Sequence, residues 1–157
     1  MKVSLRMLLT LIVLSAFISA CNSSGGGGVG GNTGPLKPVS GFLKIPVKEV
    51  NDGKAHHYQV KAVDGTMVTF FALKSRDGII RAAIDACDVC YKAGKGYYQD
   101  GDFMVCINCG QRFASARINV VKGGCNPAPL KRVVKGDQLV IDMNDINANR
   151  WYMKYRI

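Results

Sequence analysis

The sequence predicts an all-β domain: a small antiparallel barrel or sandwich carrying two Cys-x-x-Cys metal loops. Three observations point there. Extended stretches recur every eight to twelve residues, with Asn, Asp and Gly turns between them. The domain shows no long run with a helical apolar period. Cys87-Asp-Val-Cys90 is followed, after fifteen residues, by Cys106-Ile-Asn-Cys109 and Gly110, a spacing that signals a bound metal.

The chain of 157 residues opens with Lys2 and Arg6 and an apolar run from Met7 to Ile18. A basic start, a hydrophobic middle and small residues at the end predict a secretory signal over residues 1–20, too short for a confident membrane span. Ile18-Ser19-Ala20-Cys21 resembles the bacterial lipobox, so Cys21 is the expected lipidation site. Acyl chains there would hold the protein to a membrane surface, each buried methylene contributing about 0.8 kcal/mol. Asn22 after the cysteine favours the outer membrane of a Gram-negative envelope. Residues 21–38 are rich in Gly, Ser, Asn, Thr and Pro and read as a tether that cannot bury a core. Residues 39–157 are one domain by length, large enough for a core without cysteine staples.

Phe42 to Val47 reads as the first strand, with Pro46 marking an edge or end. Asn51-Asp52-Gly53-Lys54 is a turn. His56 to Val63 alternates, which puts His56, Tyr58, Val60 and Ala62 on one face and His57, Gln59 and Lys61 on the other. Met67 to Leu73 is a strand. Ile79 to Ala86 is another, with Ile80, Ala82, Ile84 and Ala86 on one face and Arg81 and Asp85 on the other. It delivers the chain to Cys87. Tyr97-Tyr98 and Phe103-Met104-Val105 flank the turn Gln99-Asp100-Gly101-Asp102 and predict a hairpin. Phe113 and the run Ile118-Asn119-Val120-Val121 suggest a short strand, and Gly123 to Pro129 an irregular loop. Lys131 to Val134 and Gln138 to Ile141 form a hairpin around Lys135-Gly136-Asp137. Asp142 to Asn149 has room for a helical turn, and the alternation of Trp151, Met153, Tyr155 and Ile157 predicts a terminal strand.

The two Cys-x-x-Cys loops sit at opposite ends of one hairpin region and are expected to meet through its fold. Cys87, Cys90, Cys106 and Cys109 would then supply a four-thiolate site. Exported chains more often use cysteines in disulfides, yet a bond within Cys-x-x-Cys closes a very small ring and suits redox-active pairs. Zinc and iron both fit tetrahedral thiolates, so spacing leaves both open. Met104 beside Cys106 invites Cu(I), although one Met on a strand is more often core. Cys125 is a candidate ligand, an exchangeable thiol or a small apolar residue. His56, on the inward face, is a candidate ligand or a hydrogen-bonded core residue.

The segments Asp85–Tyr91, Lys95–Tyr97, Met104–Phe113 and Lys122–Leu130 resemble the FtrD-like family. That resemblance implies a membrane-associated, iron–sulfur-containing protein, in some members linked to iron transport, with the loop of Cys125 facing the site. A second likeness is to Rieske iron–sulfur domains. Their order is a strand, a two-ligand loop, a hairpin, a second two-ligand loop and a Gly/Pro-rich cover. This likeness implies a Rieske-like barrel. With Cys in place of each His, it also implies a lower potential.

The formal charge is +10. It is spread along the chain without a dense basic block or interleaved base-stacking aromatics, which argues against nucleic acid. The charge reads first as a solvated basic surface, with attraction to anionic lipid or to an acidic redox partner as its functional alternatives. No Ser–His–Asp arrangement and no phosphate-cradling loop is visible, and the Gly run at 25–28 lies in the tether. The sequence therefore predicts an electron carrier or metal-binding protein rather than a catalyst, with a redox or iron-transport protein as its expected partner. The competing reading is a structural zinc site in a binding, metal-delivering or metal-sensing lipoprotein.

Overall fold

The computed structural model describes residues 34–156. The signal sequence, Cys21 and most of the tether fall on residues 1–33, outside the described residues. Among the described residues nine strands run in order: β1 (Phe42–Pro46), β2 (His56–Lys61), β3 (Met67–Lys74), β4 (Ile80–Ile84), β5 (Tyr97–Asp100), β6 (Phe103–Cys106), β7 (Arg112–Ala114), β8 (Arg132–Lys135) and β9 (Gln138–Asp142). A helix, α1 (Met143–Asn149), and a 3-10 turn at Arg150–Met153 follow.

The strands form three antiparallel sheets of three, ordered β1-β9-β8, β2-β3-β4 and β5-β6-β7. No closed barrel forms among the described residues, so the barrel alternative is corrected to stacked small sheets. Strand β3 explains the stacking. Six consecutive residues, Val68 to Leu73, are buried, which requires cover on both faces. Val68, Phe70 and Ala72 pack into a core with Leu43 and Ile45 of β1 and Leu139 and Ile141 of β9. Phe71 and Leu73 pack into a second core with Tyr97, Met104, Cys87 and Cys106. The β2-β3-β4 sheet is thus the middle layer. Each fully buried Phe on it contributes roughly 1.5–3 kcal/mol.

Strand β4 follows its predicted alternation. Ile80, Ala82, Ile84 and Ala86 enter the main core. Arg81 and Asp85, on the other face, are buried as well, because that face is covered by the cysteine-bearing layer. Arg81 is caged: Nε donates to Ser75 Oγ at 3.0 Å, one terminal nitrogen to the Ile118 carbonyl at 2.7 Å and the other to Asp77 at 2.6 Å.

Two other expectations are corrected. Residues 118–121 are not a strand. Asn119 has φ 64°, which breaks extended backbone, and its amide ties the Ala82 and Leu130 carbonyls at 2.8 and 3.0 Å. Nor do residues 151–156, the last described, form a strand. Asp142 caps α1 by accepting the Asn144 N–H at 2.8 Å. Beyond it Tyr152 and Met153 are both buried. Neighbouring residues share one side in a helical turn, never in a strand.

Candidate metal centre

Three segments converge at the open end of the β5–β6 hairpin. Tyr97 is in register with Cys106, so the first residue of β5 and the last of β6 lie side by side there. The first cysteine loop leaves β4 and turns back tightly: the Cys90 N–H donates to Cys87 Sγ at 3.2 Å and the Tyr91 N–H to the Cys87 carbonyl at 3.1 Å. The second loop joins β6 to β7. It is closed by Gly110 N–H to the Cys106 carbonyl at 2.9 Å and Cys106 N–H to the Gln111 carbonyl at 3.0 Å. The Ile107 N–H donates to the Gly96 carbonyl at 3.0 Å, tying the second loop to the strand that follows the first.

Cys125 arrives from the third segment. Its loop runs back along β4, where Ala128 N–H donates to the Ala86 carbonyl at 3.0 Å and Ile84 N–H to the Ala128 carbonyl at 2.8 Å. The Tyr97 hydroxyl donates to the Cys125 carbonyl at 2.5 Å. These bonds put Cys125 beside the first loop.

The outcome is two overlapping groups of sulfur. Cys87, Cys90 and Cys125 lie with their Sγ atoms within 4.8 Å of one another, and so do Cys90, Cys106 and Cys109. Cys90 belongs to both. Cys87 and Cys106 are buried, Cys90 and Cys125 half-buried, and Cys109 exposed. All five are free thiols. Each group brings three sulfurs close enough for one ion with bonds of about 2.3 Å, and the two groups joined at Cys90 have the donor chemistry of a sulfur-seeking metal or an iron–sulfur centre.

Without a metal the thiols are unevenly poised. Burial pushes Cys106 up to about 12. Burial, then contact with Cys109, pushes Cys125 up to about 12. The Gln111 backbone N–H holds exposed Cys109 below the usual thiol value. Burial foremost, and then the Cys87 sulfur, keep the Tyr97 hydroxyl protonated. That hydroxyl is a donor fixed at the site.

A buried carboxylate braces the first loop. Asp85, two residues before Cys87, is 2% exposed. It accepts the Tyr97 N–H at 2.7 Å and Arg156 at 2.6 Å, while its carbonyl accepts the other Arg156 nitrogen at 2.9 Å. His56 is not brought to the sulfurs: its Nε2 is 2.8 Å from Asp52 Oδ1, at the preceding turn. His57 is exposed, as its place on the outer face of the alternation predicts. Its ring tilts against Phe71 at 5.6 Å, and its Nε2 is 3.7 Å from Asp85. Asp85, Gly96 and Tyr97 escaped sequence reasoning as supports. The available signal was an acid on the second face of β4, immediately before the first cysteine.

Among the described residues no helix is long and apolar enough to cross a membrane. A family model described as "Membrane iron-sulfur containing protein FtrD-like" matches residues 50–153, a span holding all five of these cysteines. No curated protein matches the chain.

Proposed function

Because the chain belongs to the FtrD-like family of membrane iron–sulfur-containing proteins, we propose that it is a lipid-anchored electron carrier of the cell envelope. Cys21 would bear the lipid that anchors it to the envelope, at the outer membrane if that envelope is Gram-negative, with residues 21–38 as tether. Cys87, Cys90, Cys106 and Cys109 would hold an iron–sulfur centre under a Rieske-like cover formed by the Cys125 loop. The observation that carries this is the meeting of five free sulfurs, from three separate segments, around Cys90.

A bound iron–sulfur centre supplies reversible one-electron transfer. The chain's own residues do the rest. The Cys90 N–H on Cys87 Sγ and the Asn108 amide 3.4 Å from Cys90 Sγ oppose negative charge on the sulfurs, which favours the reduced state. Tyr97, Phe71, Met104 and Ile118 exclude water from the inner side. Exposed Cys109 leaves the outer side open to a partner. Iron handling enters as the physiological setting, with a redox or iron-transport protein as partner.

One observation favours a second reading. Three sulfurs within 4.8 Å of one another, as in each of the two groups, would also give a zinc ion most of a tetrahedral thiolate set, which would make the site structural and the protein a binding or metal-delivery module.

The deciding experiment is anaerobic purification of the chain from Gly34 onward, with a visible spectrum and counts of iron, acid-labile sulfide, zinc and copper. The expected result is a coloured protein with iron and matching sulfide, lost in Cys106→Ser together with stability. A colourless zinc protein moves the assignment to the structural reading. Full iron retention in Cys106→Ser refutes the four-cysteine assignment.

A further inference from the structure

The last described residues build a surface that the thiol chemistry does not use. Tyr91, directly after Cys90, is the base of an aromatic cluster. Its ring meets Trp151 edge-on at 5.0 Å and Tyr155 at 5.8 Å. Trp151 also stacks on Tyr152 at 3.7 Å. Packing fixes these rings, yet Trp151 remains 46% and Tyr155 42% exposed. Exposed lysines flank them in the chain, Lys92 directly after Tyr91, Lys95 four residues after Tyr91 and Lys154 directly before Tyr155, the last with its Nζ 5.6 Å from the Tyr155 ring centroid.

The carboxylates of the neighbouring elements are engaged elsewhere. Asp85 is held by Arg156 and Asp64 by Arg150, and Asp88 accepts the Tyr152 hydroxyl. Among the described residues, no ion pair involves Lys92, Lys95 or Lys154.

We propose that this face, Tyr91, Trp151 and Tyr155 with Lys92, Lys95 and Lys154, is a peripheral contact for an anionic bilayer surface. Trp and Tyr rings are amphipathic and settle at headgroup depth. Lysines beside them gain from the negative surface potential of anionic lipid. Rings held on a rigid base lose little freedom on insertion. The family's description as membrane proteins agrees with a lipid occupant. Tyr91, Lys95, Tyr152 and Arg156 line the same cavity as Cys87, Cys90 and Cys106, so the contact would hold the sulfur centre next to the membrane surface. The inference stands apart from Cys21 and from the metal's identity.

Trp151 is the single tryptophan of the chain, so its fluorescence reports on this face alone. The nine strands and two cores of the described residues fall within residues 34–156, so the segment from Gly34 to Ile157, which omits the lipidation site, serves as the test protein. It is titrated with vesicles of phosphatidylcholine, with and without phosphatidylglycerol, and with vesicles brominated on their acyl chains. The expected results are a blue shift with the anionic vesicles, quenching by the brominated lipid and weaker binding as salt is raised. Changing Lys92, Lys95 and Lys154 together to Glu should weaken binding about a hundredfold or more, at about fivefold per lysine. The same change at exposed Lys44, Lys48 and Lys135, on or beside the β1-β9-β8 sheet, should cost only a few-fold. Equal loss in the two triple variants overturns the proposal, since general charge attraction would then suffice. Absence of a shift with protein-free anionic vesicles overturns it too, and a shift only with membranes that retain their proteins assigns the face to a protein partner.

Discussion

Replacing Gly96 by Ala probes how the buried carboxylate holds the first cysteine loop. Gly96 has φ 77° and lies immediately before β5. A Cβ there would be 2.4 Å from Asp85 Oδ2 and 2.7 Å from its Cγ. The carboxylate has no easy retreat, because it accepts Tyr97 at 2.7 Å and Arg156 at 2.6 Å and its side chain is 3% exposed. Two costs therefore add. Left-handed backbone at Ala costs about 1–2 kcal/mol. Displacing the carboxylate loses at least one charge-assisted hydrogen bond of about 1.5–3 kcal/mol, taken toward the lower value because Arg156 is partly exposed. The sum is about 2.5–4 kcal/mol, a large share of the ~5–15 kcal/mol that stabilises a domain. At this size the thermal midpoint should fall by roughly 10–20 °C. Gly53 is the matched control: its φ is 79°, and a Cβ there meets nothing within 4 Å. Gly53→Ala should show the backbone cost alone, about 1–2 kcal/mol and roughly 4–8 °C. Thermal and urea unfolding of both variants of the Gly34–Ile157 segment, with metal content measured alongside, makes the comparison. Equal shifts in the two would refute the claim that contact with Asp85 sets the requirement for glycine.

Three further outcomes are expected. Metal affinity should rise steeply with pH across the neutral range, because burial holds Cys106 and Cys125 up to about 12 and each thiolate formed on binding releases a proton; a chelator competition that gives a flat pH profile would contradict this. Asp77 is held at about 2, first by the Ser75 hydroxyl and also by Arg81. Its contribution is complete above the unfolded value near 3.8 and is lost as pH falls toward 2, so Asp77→Asn should flatten the stability profile between about pH 4 and pH 2, as read by urea midpoints. Tyr97→Phe removes the hydroxyl bond to the Cys125 carbonyl and should cost about 1 kcal/mol while speeding metal release to a chelator; an unchanged release rate would show that the Cys125 loop is held without it.

Much of the local structure was legible because its causes are local. Strands β1 to β4, the β5–β6 hairpin and the β8–β9 hairpin fall where alternation, β-branched and aromatic residues and Asp-Gly or Gly-Asp turns put them. The failures share one physical origin. Apolar alternation in Trp151–Ile157 is compatible with a strand only while neighbours are ignored, and the packing of Tyr152 and Met153 into the main core selected a helical turn instead. Ile118–Val121 had β propensity, but Asn119 took a left-handed conformation because its amide bonds two carbonyls that arrive from β4 and from Leu130.

The sequence by itself determined the chemistry at hand: four cysteines in two tight loops, a fifth in a Gly/Pro segment, and strands short enough to bring loops together. Those features depend on residue type and on spacing over a few positions. Only the tertiary structure decided that Cys90 is common to both sulfur groups, that His56 belongs to Asp52, and that Asp85 and Arg81 are interior. Each of these depends on which sheet covers which face. That is fixed by contacts between residues far apart in the chain, such as β1 with β9 and Asp85 with Arg156, and periodicity within one strand carries no information about what packs against it.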